Sequence, residues 1–495
     1  MKAKVLIPNR GIIALDIIHS LNAVGLETVL MHSPEDNLSL PVKLADRSYK
    51  FYSSRLEDSY LDMETIIEKA VEIRAEYIHP GYGFLSESPR FSRECLNRRI
   101  QFVGPREEVL AVVADKLQLR EIAADLGINA LPYSSLIKSP LDFEPIKHDF
   151  KYPIIIKPLM GSGGRGIRVA DYSSDAEEQI GNLLRREENV RNGLFFEEYM
   201  PFAQHIEIPF FRDVAGNILF MPEIESSIQR RFQKLFQESP SPNVGEGKRA
   251  ALYRDAQRLI ERINYVGLGY IEFILNHNEC YFSEINPTFQ INTLIPEVHV
   301  VSNFIKKQIA IARGELLHKV RGVEIIRPQH HVLLVSLMAE DPFNHFQPSS
   351  GVVSDFFHYA TIRNIFKTTL YTGARLSPMY DPFIGKILTF SVKRENAILD
   401  MRKFLDNIII KGIRTNLVFL KHMLENDSLK RGETIIDFLP LKMDFPEREK
   451  PEYELAVAAA LLGASFHIEN RKKNYKAKLE KMKQPGLFKR LFGRF

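Results

Sequence analysis

A glycine-rich stretch between two short apolar segments constrains the fold of this chain more than any other feature. Residues 152 to 168 read YPIIIKPLMGSGGRGIR, so an apolar run ends at Lys157 and glycines follow at positions 161, 163, 164 and 166. Clustered glycines expose backbone N–H groups that together cradle an anion, and a nearby lysine adds positive charge. The stretch predicts a phosphate-binding flap between two strands, with an ordinary glycine-rich hairpin as the alternative.

Two common nucleotide motifs are absent. The flap lacks the Gly-Lys-Ser/Thr sequence that leads into a helix in P-loop proteins. Near the N-terminus, residues 5–9, 12–24 and 27–32 predict a strand, an amphipathic helix and a second strand, but only Gly11 occupies the first turn. The dinucleotide fingerprint needs three glycines there, so we expect a Rossmann-like fold without NAD.

Bulk properties narrow the class of protein. A chain of 495 residues predicts about three domains. The formal charge of +4 is too small to indicate a nucleic-acid partner. The chain has only two cysteines, Cys95 and Cys280, which is typical of a reducing compartment. No apolar run reaches the length of a membrane span, so we expect a cytoplasmic protein.

A hairpin at residues 270–286 predicts a metal site. Folding it about residues 276–279 places Glu272 beside Glu284 on neighbouring strands, with Asn286 on the same face. Facing carboxylates repel each other, and Mg²⁺, which prefers oxygen ligands, removes that penalty. A register shifted by one residue is the alternative and would separate the carboxylates.

Further polar residues occur where open α/β sheets place ligands. The turn-rich loop from His79 to Glu87 follows a strand, although a capped turn explains it equally well. Lys116 falls near the middle of a helix predicted over 107–126, where a lysine is usually solvated. Gln229 and Lys234 lie in a basic stretch that either reaches a nucleotide or is exposed.

The C-terminal third reads as an α+β unit. Residues 331–338 predict a strand, and 395–409 and 415–425 predict helices. A helical patch at 455–462 precedes a basic end rich in lysine, arginine, leucine and phenylalanine. Such an end can touch an anionic membrane or bind nucleic acid, but a solvated tail is the interpretation we favour.

Taken together, these motifs resemble the ATP-grasp enzymes and, more closely, the biotin carboxylase family. Lys157, the glycine flap and the Glu272, Glu284 and Asn286 set occur in the family's order. The segments similar to its signatures are residues 9–15, 79–87, 152–157, 229–234 and 380–386. The resemblance covers residues 1 to 445 and leaves only the basic tail unmatched.

The resemblance implies an α/β and α+β multidomain fold. Its parts would be a Rossmann-like domain at 1–113, an ATP-grasp domain at 114–320 with a flap subdomain at about 131–203, a biotin-carboxylase-type C-terminal domain at 321–445, and the tail at 446–495.

The resemblance also implies ligands for individual residues. Mg²⁺ or Mn²⁺ would be carried by Glu272, Glu284 and Asn286, and Lys234 and Gln290 would be catalytic. The residues implied to bind ATP are Lys116, Lys157, Gly161, Gly163, Gly164, Gly166, Glu197, Glu198, Met200, His205 and Gln229. In the family, ATP activates bicarbonate as carboxyphosphate, and biotin is the acceptor.

The chain departs from the family on the bicarbonate and biotin side. Thr288 and Ser336 stand where the family has arginines, Asn292 where it has the general base Glu, and Thr293 where it has His. Asn accepts no proton, and Thr or Ser supplies no fixed positive charge. Losses of this kind typically reduce rates by about 10²- to 10⁴-fold.

Two hypotheses remain open from the sequence. One is an ATP-dependent ligase that acts as an altered biotin carboxylase or activates another acid through an acyl phosphate. The other is a non-catalytic ATP-binding regulatory or scaffold partner of an acyl-CoA carboxylase. The partners implied by the resemblance are the subunits of an acyl-CoA carboxylase, a biotin carrier protein and a second copy of the chain.

Overall fold

The computed structural model describes residues 2–161, 164, 166–277, 279–300, 302–317, 320–359, 361–443, 461–465, 467–469 and 471–473. The chain divides into two compact units, residues 1–444 and 445–495. In the second unit the described residues are helical. Most of the predicted patch at 455–462 and most of the basic tail lie outside the described residues.

The first unit begins with a parallel sheet flanked by helices. Its strand order is β3-β2-β1-β4-β5. The strands are β1 (Lys4–Ile7), β2 (Glu27–His32), β3 (Arg47–Lys50), β4 (Tyr77–Ile78) and β5 (Gln101–Phe102), and the helices are α1 (Gly11–Ala23), α2 (Leu40–Leu44), α3 (Met63–Glu72) and α4 (Pro89–Asn97), with a 3₁₀ turn at Pro34–Asp36. The apolar stripe of α1, including Ile13, Ile17 and Leu21, is buried as its periodicity predicts.

The helix predicted over 107–126 is wrong in one respect, because the structure divides it into α5 (Glu107–Ala114) and α6 (Lys116–Asp125). Asp115 lies between them and its carboxylate accepts hydrogen bonds from the backbone N–H groups of Leu117 and Gln118. This N-cap ends one helix and starts the next. Lys116 therefore lies at the first position of α6, not near the middle of a long helix.

The glycine flap belongs to a small antiparallel sheet of order β7-β6-β8. Its elements are α7 (Pro140–Phe143), β6 (Ile154–Pro158), β7 (Arg168–Ala170), α8 (Ser173–Leu183), α9 (Glu187–Asn192) and β8 (Leu194–Glu198). The strand–flap–strand prediction is confirmed, since β6 pairs with β7. Helix α7 precedes β6 in the chain, and α8 and α9 connect β7 to β8.

A large, mainly antiparallel sheet carries the rest of the first unit, in the order β14-β13-β9-β11-β12-β16-β23-β21. Its central elements are β9 (Gln204–Arg212), β10 (Ile218–Phe220), β11 (Ile224–Arg230), β12 (Gln233–Ser239), α10 (Glu246–Arg262), β13 (Gly267–Asn276), β14 (Glu279–Asn286), a 3₁₀ turn (Ile291–Thr293), α11 (Leu294–Val300), α12 (Phe304–Ala312), β15 (Val323–Ile325) and β16 (His331–Met338). The basic stretch from Ser227 to Lys234 thus spans the hairpin of β11 and β12.

The C-terminal part continues the same sheet, because β12 pairs with β16 and β16 pairs with β23. Its elements are β17 (Glu340–Asp341), β18 (Gln347–Pro348), β19 (Gly351–Val352), β20 (Asp355–Phe357), β21 (Asn364–Thr368), β22 (Arg375–Leu376), β23 (Phe383–Ser391), α13 (Arg394–Asp406), β24 (Ile409–Lys411), α14 (Leu417–Glu425), α15 (Asp427–Arg431) and α16 (Phe438–Lys442). Among the described residues, no helix has both the length and the apolar character needed to cross a membrane.

Candidate active site

Three carboxylates lie side by side on neighbouring strands of the large sheet. Glu272 on β13 is directly opposite Glu284 on β14 and directly opposite Glu207 on β9. The predicted register of the hairpin is therefore confirmed, and the register shifted by one residue is excluded. Glu207 and Glu272 are buried, so their mutual repulsion must be offset by nearby positive charge.

Lys234 supplies that charge from β12. Its Nζ lies 2.8 Å from Glu207 Oε1 and 2.8 Å from Glu272 Oε1. Burial by itself lowers the pKa of Lys234, but the two carboxylates outweigh burial and hold its pKa well above the usual value. Lys234 is thus a permanent cation in the middle of the acidic row.

The predicted residues His205, Gln229 and Asn286 converge on the same place. His205 Nε2 is 2.7 Å from Glu272 Oε2, and Gln229 Nε2 is 2.6 Å from His205 Nδ1. The Asn286 amide donates to Glu272 Oε1 at 2.8 Å. Burial raises the pKa of Glu272, but Lys234 and His205 outweigh it and the net shift is downward. Glu272 is therefore an anion.

A cavity of about 290 Å³ lies between the glycine flap, α6 and the end of β14. Its walls include Lys116, Lys157, Glu87 and Glu284. Lys116 Nζ donates to the carbonyl of Gly161 at 2.8 Å, which ties α6 to the flap. Burial lowers the pKa of Lys116, and Glu284 opposes this shift. The wall of the cavity therefore carries two lysines and two carboxylates.

Glu87 was not among the predicted ligand-binding residues, although its loop was singled out from the sequence. Burial raises the pKa of Glu87 to about 7, Lys116 opposes the shift, and Glu284 adds to it. Neither the Glu87 nor the Glu284 carboxylate has a hydrogen bond or ion pair with another described residue. The cavity thus holds carboxylates whose oxygens are not used by described protein groups.

Lys157 has a fixed position because it pairs with Glu197. Glu197 lies on β8, is buried, and also pairs with Arg120 of α6. Burial raises the pKa of Glu197, but Arg120 and Lys157 outweigh it and lower the pKa. Arg120 is a residue that the sequence reasoning missed. Its spacing of four from Lys116 places both on one helical face, which is the signal that could have revealed it.

The remaining ATP-binding predictions fall around the flap. Glu198 accepts a hydrogen bond from the Lys151 N–H at 3.0 Å, and Met200 Sδ accepts one from the Asn276 amide at 3.4 Å. Gly163 lies outside the described residues. Which of these groups contacts a nucleotide stays a prediction.

Gly164 shows why the flap needs glycine. It has a φ of +71°, and a Cβ built there would lie 2.6 Å from Cβ of Phe232. A side chain at this position would therefore be strained and would also clash with the β11–β12 turn.

The acceptor-side positions, which we define as Thr288, Gln290, Asn292 and Ser336, contact one another, Glu207 or the protein backbone. Gln290 Nε2 donates to Thr288 Oγ1 at 2.9 Å, and Asn292 Nδ2 donates to Glu207 Oε2 at 3.1 Å. Ser336 Oγ donates to the backbone carbonyl of Lys234 at 2.8 Å. These side chains are all buried.

A buried ion pair supports the loop that carries these positions. Lys386 Nζ lies 2.5 Å from Asp16 Oδ2 on α1 and donates to the Ile291 carbonyl at 3.1 Å. Lys386 is fully buried and belongs to the 380–386 segment that resembles a family signature. It joins α1, β23 and the 3₁₀ turn beside Asn292.

The oxygen atoms of Glu272, Glu284 and Asn286 are chemically suitable ligands for the predicted divalent cation. Glu284 has free carboxylate oxygens, Glu272 lies directly opposite it, and Asn286 uses only its Nδ2 toward Glu272. Oxygen donors of this kind suit Mg²⁺. Over the described ranges, no group of three or more His, Cys, Asp or Glu side chains has the arrangement of a metal site. The predicted ligand set contains only two such side chains, Glu272 and Glu284, because its third member is the amide of Asn286.

Comparisons with known families cover most of the chain. Residues 1–110 match the biotin carboxylase N-terminal domain. Residues 115–320 match the ATP binding domain of the carbamoyl-phosphate synthase L chain, and residues 335–440 match the biotin carboxylase C-terminal domain.

Curated relatives align over nearly the same span. The chain is 33% identical over 448 residues to biotin carboxylase 1 of Bacillus subtilis, covering 89% of this chain and 98% of the relative. It is 32% identical over 441 residues to a biotin carboxylase of Nostoc sp., covering 88% of this chain and 98% of the relative.

Solved structures agree with the sequence relatives. The biotin carboxylase domain dimer of Hydrogenobacter thermophilus 2-oxoglutarate carboxylase, in complex with MgADP, ADP and bicarbonate, is 30% identical with a TM-score of 0.85, and the match covers 90% of this chain and all of that one. A biotin carboxylase–beta-gamma-ATP complex from Campylobacter jejuni is 29% identical with a TM-score of 0.83, and the match covers 89% of this chain and 99% of that one. The chain belongs to the biotin carboxylase family, with an ATP-grasp domain at its centre.

Proposed function

We propose that this protein is an ATP-dependent ligase that binds Mg-ATP and activates a carboxylate or bicarbonate through an acyl phosphate. The observation that carries the proposal is the cavity that Lys116, Lys157, the glycine flap and Glu284 line together. Lysines and exposed backbone N–H groups suit phosphates, and carboxylates suit the cation that accompanies them. The relatives' names supply the reaction class.

The residues of this chain would act mainly by holding positive charge close to the phosphates. Lys116 and Lys157 would offset the negative charge of the phosphates, and Glu197 fixes the direction of Lys157. We assign Lys234, whose Nζ pairs with Glu207 and Glu272, to the negative charge that develops when the terminal phosphate is transferred. Catalysis of phosphoryl transfer depends on such positioning and electrostatic stabilisation.

Glu272, Glu284 and Asn286 are the residues we assign to Mg²⁺ or Mn²⁺. When bound, the cation neutralises charge on the phosphates. Glu198, Met200, His205 and Gln229 are assigned to the nucleotide as in the sequence prediction, and Gln290 to the acceptor side. The same proposal includes the predicted domain boundaries, which fall between residues 113 and 114, 320 and 321, and 445 and 446.

The relatives also indicate which partners to test. Relatives include the alpha chain of a methylcrotonoyl-CoA carboxylase and a pyruvate carboxylase, and a solved neighbour is a domain dimer. The partners to test are therefore a second copy of this chain, a biotin carrier protein and the other subunits of an acyl-CoA carboxylase. A cytoplasmic location and contact of the basic tail with an anionic membrane are further parts of the proposal.

Isothermal titration calorimetry of the full chain with ATP tests the nucleotide half. We expect binding in the presence of Mg²⁺, and a loss of at least about tenfold in affinity for Lys157→Ala. Lys147→Ala is the matched control, because Lys147 lies in the same subdomain and its ammonium pairs with the exposed carboxylates Glu144 and Glu177. Equal affinity in both variants, or no binding by the wild-type chain, would overturn the proposal.

A second candidate is favoured by one observation. Thr288, Gln290 and Asn292 are buried, and their side chains hydrogen-bond to one another or to Glu207. A chain whose acceptor side is filled in this way would bind Mg-ATP without turnover and act as a regulatory or scaffold partner of a carboxylase. ADP release that depends on an acid distinguishes the two candidates.

A further inference from the structure

Residues 288–293, which we call the acceptor loop, carry three of the four acceptor-side positions. Contacts within the loop fix its shape, since Gln290 Nε2 donates to Thr288 Oγ1 at 2.9 Å and the Gln290 N–H donates to Thr293 Oγ1 at 3.1 Å. Such contacts do not determine where the loop lies relative to Lys234. Anchors outside the loop must do so.

Two of these anchors lie on neighbouring strands of the large sheet. Asn292 Nδ2 donates to Glu207 Oε2 at 3.1 Å, and the Tyr270 hydroxyl lies 2.7 Å from Thr293 Oγ1. Both bonds hold side chains at the end of the acceptor loop. Neither holds the backbone that leads to them, where Ile291 lies.

Lys386 of β23 supplies the third anchor, and it acts on that backbone. Its Nζ donates to the Ile291 carbonyl at 3.1 Å and lies 5.8 Å from the centre of the Phe289 ring. Lys386 is 0% exposed, and its Nζ lies 2.5 Å from Asp16 Oδ2. A buried ammonium without a counter-ion is strongly unfavourable, so Asp16 determines whether Lys386 stays at this position.

Other charges surround the Asp16–Lys386 pair. Lys367 of β21 contacts the same carboxylate from the other side, with its Nζ 3.3 Å from Asp16 Oδ1. Burial raises the pKa of Glu297 on α11, and a backbone hydrogen bond and the charge of Lys386 oppose that shift. Without the Asp16 charge, Lys386 would be attracted by Glu297, and its bond to the acceptor loop would be displaced.

Resting on the proposed function, we propose that Asp16 is a positioning residue for the acid, acting through Lys386 on the acceptor loop. Asp16 lies inside the first unit on α1 and is 5% exposed. The described walls of the ATP cavity include Pro287 but no residue of the acceptor loop. The charge of Asp16 therefore governs how the acid is held and leaves nucleotide binding unchanged.

Asp16→Asn in the full-length chain removes the charge at nearly constant shape. ADP release is measured with Mg-ATP and bicarbonate, and with acetate as a second acid. We expect the KM for the acid to rise about tenfold or more and the KM for ATP to change by less than about twofold, because small displacements of a positioning group have large effects on the group it holds. Lys367→Met is the matched control, since it removes the other lysine on Asp16 and keeps the Lys386 bond to Ile291.

Hydrogen exchange measures the position of the loop without turnover. The Gln290 and Thr293 N–H groups are hydrogen-bonded within the acceptor loop. In Asp16→Asn with bound Mg-ATP we expect both amides to exchange about tenfold faster than in the wild-type chain, because a displaced loop opens more often. The control should exchange at the wild-type rate.

The double variant Asp16→Asn/Lys386→Met separates positioning from stability. It has no unpaired buried ammonium, so its thermal unfolding should lie closer to that of the wild-type chain than the single variant's does. It still lacks the bond to the Ile291 carbonyl, so the KM for the acid should stay raised. This variant carries the test if Asp16→Asn does not fold.

A KM for the acid that returns to the wild-type value in the double variant would overturn the inference, because Asp16 would then act on stability alone. An equal rise in Lys367→Met would overturn it as well. If neither acid raises ADP release by the wild-type chain, the proposed function is overturned instead. In that case unchanged exchange of Gln290 and Thr293 in Asp16→Asn would show that Asp16 does not hold the loop either.

Discussion

At the scale of single residues, the site depends on how Lys234 and its carboxylate neighbours balance their charges. Lys234 offsets Glu207 and Glu272, while Glu284 has no described partner. The paired carboxylates and their register were predictable from alternation along the hairpin. Glu207 and Arg120 were not assigned from the sequence, because their roles depend on contacts between strands and helices that are distant in the chain.

Glu284→Gln removes the carboxylate that we assign to the cation while keeping the shape of the side chain. We expect Mg²⁺-dependent ATP affinity to fall by about tenfold or more, because an amide is a weaker ligand than a carboxylate. ATP titrations at several Mg²⁺ concentrations measure the change. Glu279→Gln at the exposed start of β14 is the control, and equal Mg²⁺ dependence in the two variants would contradict the assignment of Glu284.

Asn292→Glu places a second carboxylate beside Glu207 in a buried site. We expect the free energy of unfolding to fall by about 3 kcal/mol, because the added charge has no counter-ion there. Adding Thr288→Arg should recover part of this loss. Urea unfolding of the single and double variants measures the coupling. A single variant as stable as the wild-type chain would show that Asn292 is not in the charged environment described here.

At the scale of elements, the start of α6 determines where Lys116 lies. Sequence periodicity predicted most helices and strands within a few residues, including β2 and β16 at their observed bounds. It failed at Asp115, where apolar periodicity continues across the cap and hides the break. The divided helix explains how Lys116 reaches the flap.

Asp115→Ala removes the N-cap of α6. We expect a loss of about 1 kcal/mol in the free energy of unfolding and an increase of about three- to tenfold in the Kd for ATP, because Lys116 is displaced. Asp62→Ala removes the matching cap of α3, where Asp62 accepts from Thr65 N–H. The control should lose similar stability and keep its ATP affinity. A similar loss of affinity in both variants would contradict the role given to α6.

At the scale of the whole molecule, one sheet connects the nucleotide-binding part to the C-terminal part. Glu225 on β11 faces Glu238 on β12, and Arg394 of α13 binds Glu238 at 2.6 and 2.9 Å. Burial, together with Glu238, raises the pKa of Glu225 from 4.5 to about 7. This coupling was not predictable from the sequence, since the residues come together only when the C-terminal helices pack on the sheet.

Glu225 should make the folded protein less stable as pH rises. Its pKa is higher in the folded than in the unfolded chain, so between pH 4.5 and 7 the folded state binds more protons and unfolding becomes easier with increasing pH. Glu225→Gln should therefore stabilise the protein by on the order of 2 kcal/mol at pH 8 and by much less at pH 4.5. Thermal unfolding at both pH values measures this, with exposed Glu76→Gln as the control. A pH-independent difference would contradict the shift.

The most direct test of the central claim is a crystal structure of the full chain with Mg²⁺ and a non-hydrolysable ATP analogue. The account predicts phosphates against Lys116 and Lys157 beneath the flap, and a cation held by Glu272, Glu284 and Asn286. Nucleotide bound elsewhere, or a cation that does not contact Glu284, would contradict the assignment of this cavity as the active site.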